Sequence, residues 1–267
     1  MAKWTADDIP PQTLRRAVVT GATGGLGYET ALALARKGAH VILAGRSETK
    51  GANAAQQIAA QAVGAAVRFE KVDLADLGSV AAFAGRLLDE RQPIDLLINN
   101  AGVMTPPTRY TTADGFELQF GTNYLSHFAL TARLLPLLDP GRKPRVVSLS
   151  SGAHRLGGAI HFDDLQWERS YKPWLAYAQS KLAMLMFALE LQRRSDENGW
   201  GLISNAAHPG WAMTGLQTSG PRMGRENRPS FAERLGTVAG PLFAQSAATG
   251  ALPTLFAATS AEATGAA

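Results

Sequence analysis

The sequence predicts an α/β fold in which a doubly wound parallel sheet is covered by helices on both faces. Three observations lead there. Short apolar, β-branched runs alternate with helix-patterned segments from Ala17 to Ala207; that rhythm builds β-α-β units around a buried parallel sheet. A glycine-rich turn, Thr20-Gly21-Ala22-Thr23-Gly24-Gly25-Leu26-Gly27, joins the first strand to the first helix. No repeat, low-complexity tract or linker interrupts the chain before residue 215. Residues 1–267 therefore read as one domain, with 1–16 as an N-terminal extension.

The elements follow in order. Ala17-Val18-Val19-Thr20 is a buried strand stopped by Gly21. Leu26 to Lys37 is helical and closes at Gly38. His40–Ala44 is the second strand, Ser47–Ala62 an Ala/Gln-rich helix, and Val67–Val72 the third strand. Ser79 can cap a helix running to Glu90, and Ile94–Ile98 is the fourth strand. Asp114–Leu135 reads as one long helix closed by Pro136. Arg145–Leu149 and Leu202–Ala207 are the fifth and sixth strands, on either side of a helix from Trp174 to Arg194. Phe231–Ala244 and Ala248–Ala258 read as helices, and no seventh strand follows. Gly152–Lys172 is too long for an ordinary connection and predicts a functional loop or lid. With 215–245, rich in Gly, Pro and Arg at its start, it forms the expected substrate side.

Composition narrows the function. A hydrophobic fraction of 46% supports a sizeable core. The net charge of +4 has no basic run behind it, so nothing points to nucleic acid, and a small anionic ligand fits the charge equally well. Without cysteine there is no disulfide, thiolate metal site or Cys nucleophile, which fits a reducing, cytoplasmic setting. The N-terminus lacks an apolar signal segment, and no run approaches the roughly 20 apolar residues of a membrane span. His40, His127, His154, His161 and His208 show no ligand spacing, so they read as structural and no metal is expected.

The chemistry-bearing residues lie at predicted strand ends. The glycine turn could bring backbone N–H groups to a pyrophosphate at a helix N-terminus, or serve only as a turn. After the second strand stands Arg46 rather than an acid, which suits a 2′-phosphate. Asp73-Leu74 follows the third strand, near where an adenine could lie, though Asp73 serves equally as a turn residue. Asn99-Asn100-Ala101-Gly102 ends the fourth strand with small residues and with amides able to tie strand ends together. Ser150-Ser151 ends the fifth and could donate to a carbonyl, and His208-Pro209-Gly210 with Thr214 follows the sixth. Asn123 sits mid-helix among Phe120, Tyr124, Leu125 and Phe128, which predicts a specific hydrogen bond. Tyr177 and Lys181, four apart on one helix, share a face. An ammonium beside a phenol lowers the phenol pKa from about 10 and prepares a general acid or base.

In this order and context the motifs resemble the short-chain dehydrogenase/reductase family from Ala17 to Thr214. Arg46 and the long spacing from Ser151 to Tyr177 further resemble its branch of retinol dehydrogenases and light-dependent protochlorophyllide reductases. The resemblance implies a Rossmann-like sheet of order 3-2-1-4-5-6, here lacking the family's last strand. It implies NADP (NADPH) rather than NAD, held by Gly21, Thr23, Gly25, Leu26, Gly27, Arg46, Asp73, Leu74, Asn100, Ala101, Gly102, Tyr177, Lys181, Pro209, Gly210 and Thr214. It also implies the roles. Tyr177 moves the proton, Lys181 tunes it and grips the nicotinamide ribose, Ser151 bonds the carbonyl oxygen, and Asn123 holds a water. The substrate would be an apolar ketone, aldehyde or alcohol, with Trp167, Tyr171, Trp174, Trp211, Met213 and Leu216 as candidate lining. A homo-oligomer is compatible with this reading. A non-catalytic NADP sensor on the same fold is the alternative; a nucleotide-sugar epimerase or dehydratase fits less well.

Overall fold

The computed structural model describes residues 4–138, 142–210, 220, 221, 223 and 245–265. Six strands form its sheet: β1 (Arg16–Thr20), β2 (His40–Gly45), β3 (Val67–Lys71), β4 (Leu96–Asn99), β5 (Arg145–Leu149) and β6 (Ile203–Ala207). Their order is β3-β2-β1-β4-β5-β6 and every pairing is parallel, as the sequence predicts. The helices are α1 (Gly25–Arg36), α2 (Glu48–Gln61), α3 (Leu77–Asp89), α4 (Leu118–Phe120), α5 (Ser126–Leu134), α6 (Pro173–Asn198) and α7 (Ala247–Thr259).

Strand alternation builds two cores. Ala17 and Val19 of β1 face a cluster with α1, α2 and α7, including Leu34, Ile58 and Leu255. Val18 faces the other side, with Phe83 of α3, Leu130 of α5 and Phe187 of α6. All five β1 residues are therefore buried, which is why a doubly covered strand reads as a continuous apolar run. Burial of each large apolar side chain contributes roughly 1.5–3 kcal/mol. The strand order reverses between β1 and β4, which opens a crevice at their carboxyl ends.

Two element boundaries differ from expectation. Asp76, not Ser79, caps α3: its Oδ1 accepts the N–H groups of Gly78 and Ser79 at 2.8 and 3.1 Å. The Ser79 hydroxyl instead accepts the Asp73 N–H at 2.9 Å. The expected helix from Asp114 starts only at Leu118, because Asp114 accepts the Leu77 N–H at 2.9 Å and Glu117 becomes the N-cap. That helix is also interrupted by a π-helical turn over Gly121–Leu125. Among the described residues, no helix is long and apolar enough to cross a membrane. The expected Phe231–Ala244 helix lies outside them.

Candidate active site

The glycine turn leaves β1 at Gly21 and enters α1 at Gly25. Gly24 caps α1 without a side-chain hydrogen bond, so the first backbone N–H groups have no capping oxygen. Such a terminus favours an anion by hydrogen bonding and by its dipole. The β4 end packs directly on this turn. A methyl on Gly27 would stand 2.5 Å from Asn100 Nδ2, and one on Gly21 2.9 Å from Ala101 Cα, so both positions need glycine. Asn100 Nδ2 donates to the Thr20 carbonyl at 2.7 Å. The N–H groups of Asn100 and Ala101 donate to Thr20 Oγ1 at 2.9 and 3.0 Å. Asn99 reaches α5 instead, donating to Thr131 Oγ1 at 3.1 Å.

Along the outer rim, Arg46 is exposed just beyond β2, and Thr23 packs against Gly45. Asp73 Oδ1 closes a turn by accepting the Ala75 N–H at 2.9 Å. The Leu74 side chain is buried in the core, which leaves only its backbone to face a ligand.

Asn123 sits inside the π-helical turn, where the Ser126 N–H bonds the Gly121 carbonyl five residues back. Its amide makes the specific hydrogen bonds that its mid-helix position predicts. Oδ1 accepts the Val103 N–H at 2.7 Å, and Nδ2 donates to Val103 O at 3.0 Å and Ser180 Oγ at 2.9 Å. Asn123 thus joins the loop after β4 to α6. Gly102 completes this corner: a methyl there would stand 3.1 Å from Asn123 Oδ1 and 3.7 Å from Lys181 Nζ.

Helix α6 begins at Pro173, ends on left-handed Gly199, and carries Tyr177 and Lys181 buried on one side. Lys181 Nζ donates to the Leu149 carbonyl at 2.9 Å. Ser150 Oγ donates to the Lys181 carbonyl at 2.8 Å, so its hydroxyl is committed to the helix backbone. The Ser151 Oγ, by contrast, accepts the Ala153 N–H at 3.3 Å and lies close enough to the Tyr177 phenol to lower its pKa. Tyr177 packs against Ala153, Ala178 and Met104. After β6, Gly210 takes φ 63° and its N–H donates to His208 Nδ1 at 3.2 Å, while the Pro209 carbonyl accepts from Gln245 Nε2. Thr214, Trp211, Met213 and Leu216 lie outside the described residues.

The electrostatics correct one expectation. Burial pushes the Tyr177 phenol up, and the nearby Ser151 hydroxyl only partly opposes it. Lys181 does not lower it here: Nζ lies 5.8 Å from the phenol ring centre and points to Leu149 O. Burial also pulls the Lys181 ammonium down, to about 8. Among the described residues no group of three His, Asp or Glu side chains is placed to hold a metal.

The 152–172 stretch is tied to α4, α6 and their surroundings by buried amides. Gln179 of α6 accepts the His161 N–H at 3.1 Å and donates to Leu165 O at 3.0 Å. Gln119 donates to Tyr171 Oη and to Pro173 O, both at 3.0 Å, and accepts the Thr105 N–H at 2.8 Å. Gln166 accepts the Glu117 N–H at 2.7 Å. The Glu117 carboxylate, pushed up by burial, accepts the N–H groups of Gln119 and Phe120. Trp167 is only 6% exposed and packs edge-on to His161; with His161, Asp164 and Lys172 it lines a small surface pocket on this stretch. Trp174 is 41% exposed at the start of α6.

Glu117, Gln119, Gln179, Thr20 Oγ1 and His127 take on hydrogen-bonding roles that no sequence motif announces. One local signal existed: Ser126 and His127 stand four residues after Thr122 and Asn123, where side-chain donors can reach those carbonyls.

Comparison with known proteins follows the same lines. The family model described as short chain dehydrogenase matches residues 15–223. Human retinol dehydrogenase 13 is 47% identical over 209 residues, covering 78% of this chain and 61% of that protein. Mouse polyprenol dehydrogenase is 45% identical over 212 residues, covering 78% and 63%. The chain thus spans about three fifths of the length of the curated relatives it matches. A crystal structure from Mycobacterium paratuberculosis shares 43% identity with TM-score 0.75, over 97% of this chain and 81% of that one. A short chain dehydrogenase of Shigella flexneri, complexed with NADP, shares 25% identity with TM-score 0.70, over 95% and 94%.

Proposed function

The chain belongs to the short chain dehydrogenase family, and on that premise we propose that it moves a hydride between NADP(H) and the carbon of an apolar ketone, aldehyde or alcohol. One observation carries the proposal. The Ser151 hydroxyl stands beside the buried Tyr177 phenol at the mouth of β5, near enough to lower its pKa, and Lys181 is buried one helical turn beyond Tyr177. Two O–H groups so placed can both turn to one substrate oxygen.

The residues fit the cofactor. The uncapped turn at Gly24–Gly27 offers backbone N–H groups to a diphosphate. Exposed Arg46, with no acid at the end of β2, suits a 2′-phosphate. Gly102 leaves room beside Asn123 and Lys181, where nicotinamide ribose hydroxyls would meet the ammonium. When bound, NADPH supplies the hydride and NADP accepts it.

The chain's own groups handle the rest. Ser151 donates to the substrate carbonyl oxygen and orients it. In reduction, Tyr177 gives its phenolic proton to that oxygen; in oxidation it takes the proton from the hydroxyl. Its raised pKa keeps it protonated and suits it to the reductive direction. Lys181 would hold the nicotinamide ribose through its ammonium. Asn123 ties the loop at Val103 to α6 at Ser180, next to Lys181 in sequence. Relatives named for retinol and polyprenol, both apolar alcohols, support an apolar substrate class.

The test is NADPH oxidation against a panel of apolar ketones and aldehydes. Wild type turns over; Tyr177→Phe loses about 10²–10⁴-fold in rate while still binding NADPH. NADPH binding without turnover by wild type would favour a sensor, and retained activity in Tyr177→Phe would remove the proton-transfer role.

A further inference from the structure

His127 of α5 is fully buried. Its Nδ1 lies 2.8 Å from the Asn123 carbonyl oxygen and its Nε2 2.9 Å from Thr20 Oγ1. A carbonyl oxygen can only accept, so Nδ1 carries the proton. The ring is neutral, because burial and the nearby Lys181 charge hold its pKa down at about 4 against the raising effect of Asn123 O. Nε2 is then an acceptor, and the Thr20 hydroxyl donates to it; the Ile98 carbonyl, at 3.3 Å, is the longer alternative. With its one hydrogen committed, Thr20 Oγ1 presents lone pairs to the N–H groups of Asn100 and Ala101. Donor and acceptor thus alternate without conflict from Asn123 O to the end of β4.

The π-helical turn explains why a histidine is needed. In an α-helix a carbonyl is taken by the N–H four residues on. Here the ladder is displaced, and side chains at the same spacing meet the carbonyls instead: Ser126 Oγ at Thr122 O, 2.7 Å, and His127 Nδ1 at Asn123 O.

We propose that His127 is a positioning residue whose two ring nitrogens couple the corner of Asn123 and Lys181 to the cofactor-facing end of β4 at Asn100 and Ala101. The inference rests on the site reading above. Nδ1 holds the turn that aims the Asn123 amide at Val103 and Ser180. Nε2 orients the Thr20 hydroxyl under the strand end. The first task bears on turnover, the second on NADPH affinity.

The first experiment uses wild-type protein with ¹⁵N-labelled histidine. NMR is expected to show His127 as the neutral Nδ1–H tautomer between about pH 6 and pH 8, with the Nε2 signal shifting on addition of NADPH. An Nε2–H tautomer, a charged ring or an NADPH-insensitive signal overturns the proposal. The second compares His127→Leu with His127→Asn, whose side-chain amide keeps a donor where Nδ1 stood. His127→Leu is expected to lose about tenfold in kcat and about tenfold in NADPH affinity, the scale of one buried hydrogen bond each. His127→Asn regains most of the lost kcat but not the affinity. Equal losses of both parameters in the two variants, or no loss in either, overturn the coupling. If wild type reduces no carbonyl compound, the proposed function fails, and the tautomer and the NADPH titrations still decide the role of His127. If the variants do not fold, the wild-type spectrum decides alone.

Discussion

Lys181→Met should make the free protein more stable. The Lys181 ammonium is buried and its pKa falls from 10.5 to about 8. At about 1.36 kcal/mol per unit, keeping it charged inside the fold costs about 3 kcal/mol at pH 7. Methionine matches the chain length without the charge. It leaves Leu149 O without its 2.9 Å partner, which costs about 1–2 kcal/mol. The net gain is about 1–2 kcal/mol, or a melting temperature about 2–5 °C higher for a chain of this size. The pH dependence follows from the sign of the shift. Between about 8 and 10.5 the unfolded chain still holds a proton that the folded chain has released. Lys181 therefore makes wild-type stability rise with pH across that window and adds no slope below it. The advantage of the variant is full at pH 7, disappears within the window and becomes a deficit of about 1–2 kcal/mol above 10.5, where only the lost hydrogen bond remains. Calorimetry of both proteins at several pH values, without cofactor, measures this. A Lys181→Met protein that melts at or below wild type at pH 7, or an advantage that does not shrink across the window, would refute the reasoning. Saturating NADPH should reverse the order, because it stabilises the protein that grips the ribose.

The remaining predictions are simpler. Arg46→Ala should weaken NADPH binding by about tenfold or more and leave NADH unchanged, since a charge-assisted hydrogen bond contributes about 1.5–3 kcal/mol; parallel titrations check it, and equal loss for both cofactors contradicts the 2′-phosphate assignment. Asp76→Ala should cost about 1 kcal/mol by removing the α3 cap, and Asp76→Ser should recover most of it; urea melts in which both variants match wild type would show that the cap contributes nothing.

What the sequence revealed follows the range of the interactions involved. Strand alternation and the glycine turn are local signals, so the sheet and the place of the crevice were legible. Ser79 was a sound cap candidate, but Asp76 three residues earlier bonds two N–H groups and fixes the start. The break in the Asp114–Leu135 helix was not legible, because it depends on Asp114 serving another helix and on His127 meeting Thr20, 107 residues away. The pKa of Tyr177 is not legible in the sequence for the same reason. Four-residue spacing shows that Lys181 shares its face, but not that Leu149 O draws the ammonium away or that burial dominates. Likewise, Ser150 and Ser151 are indistinguishable as letters; only the backbone of α6 separates them.

The 152–172 wall tests whether specificity here is a matter of shape or of motion. Long insertions beside a cofactor crevice often close over substrate. This one is tied at its middle and at its C-terminal end by amides. Gln119 alone joins Tyr171, the first residue of α6 and the loop at Thr105. Replacing it by leucine keeps the volume and leaves Tyr171 Oη, Pro173 O and the Thr105 N–H without these partners. Unpaired buried groups cost about 1–3 kcal/mol each, so Gln119→Leu should lose about 2–4 kcal/mol of stability as neighbours partly readjust. Hydrogen exchange then separates the two pictures. A clamped wall exchanges slowly over residues 156–172 in wild type and faster in Gln119→Leu, with β1 and β4 unchanged. A lid would exchange fast in both. Because Pro173 opens the helix that carries Tyr177, loosening the wall should also shift the register of the phenol against Ser151. Gln119→Leu should therefore lower kcat, not only raise KM.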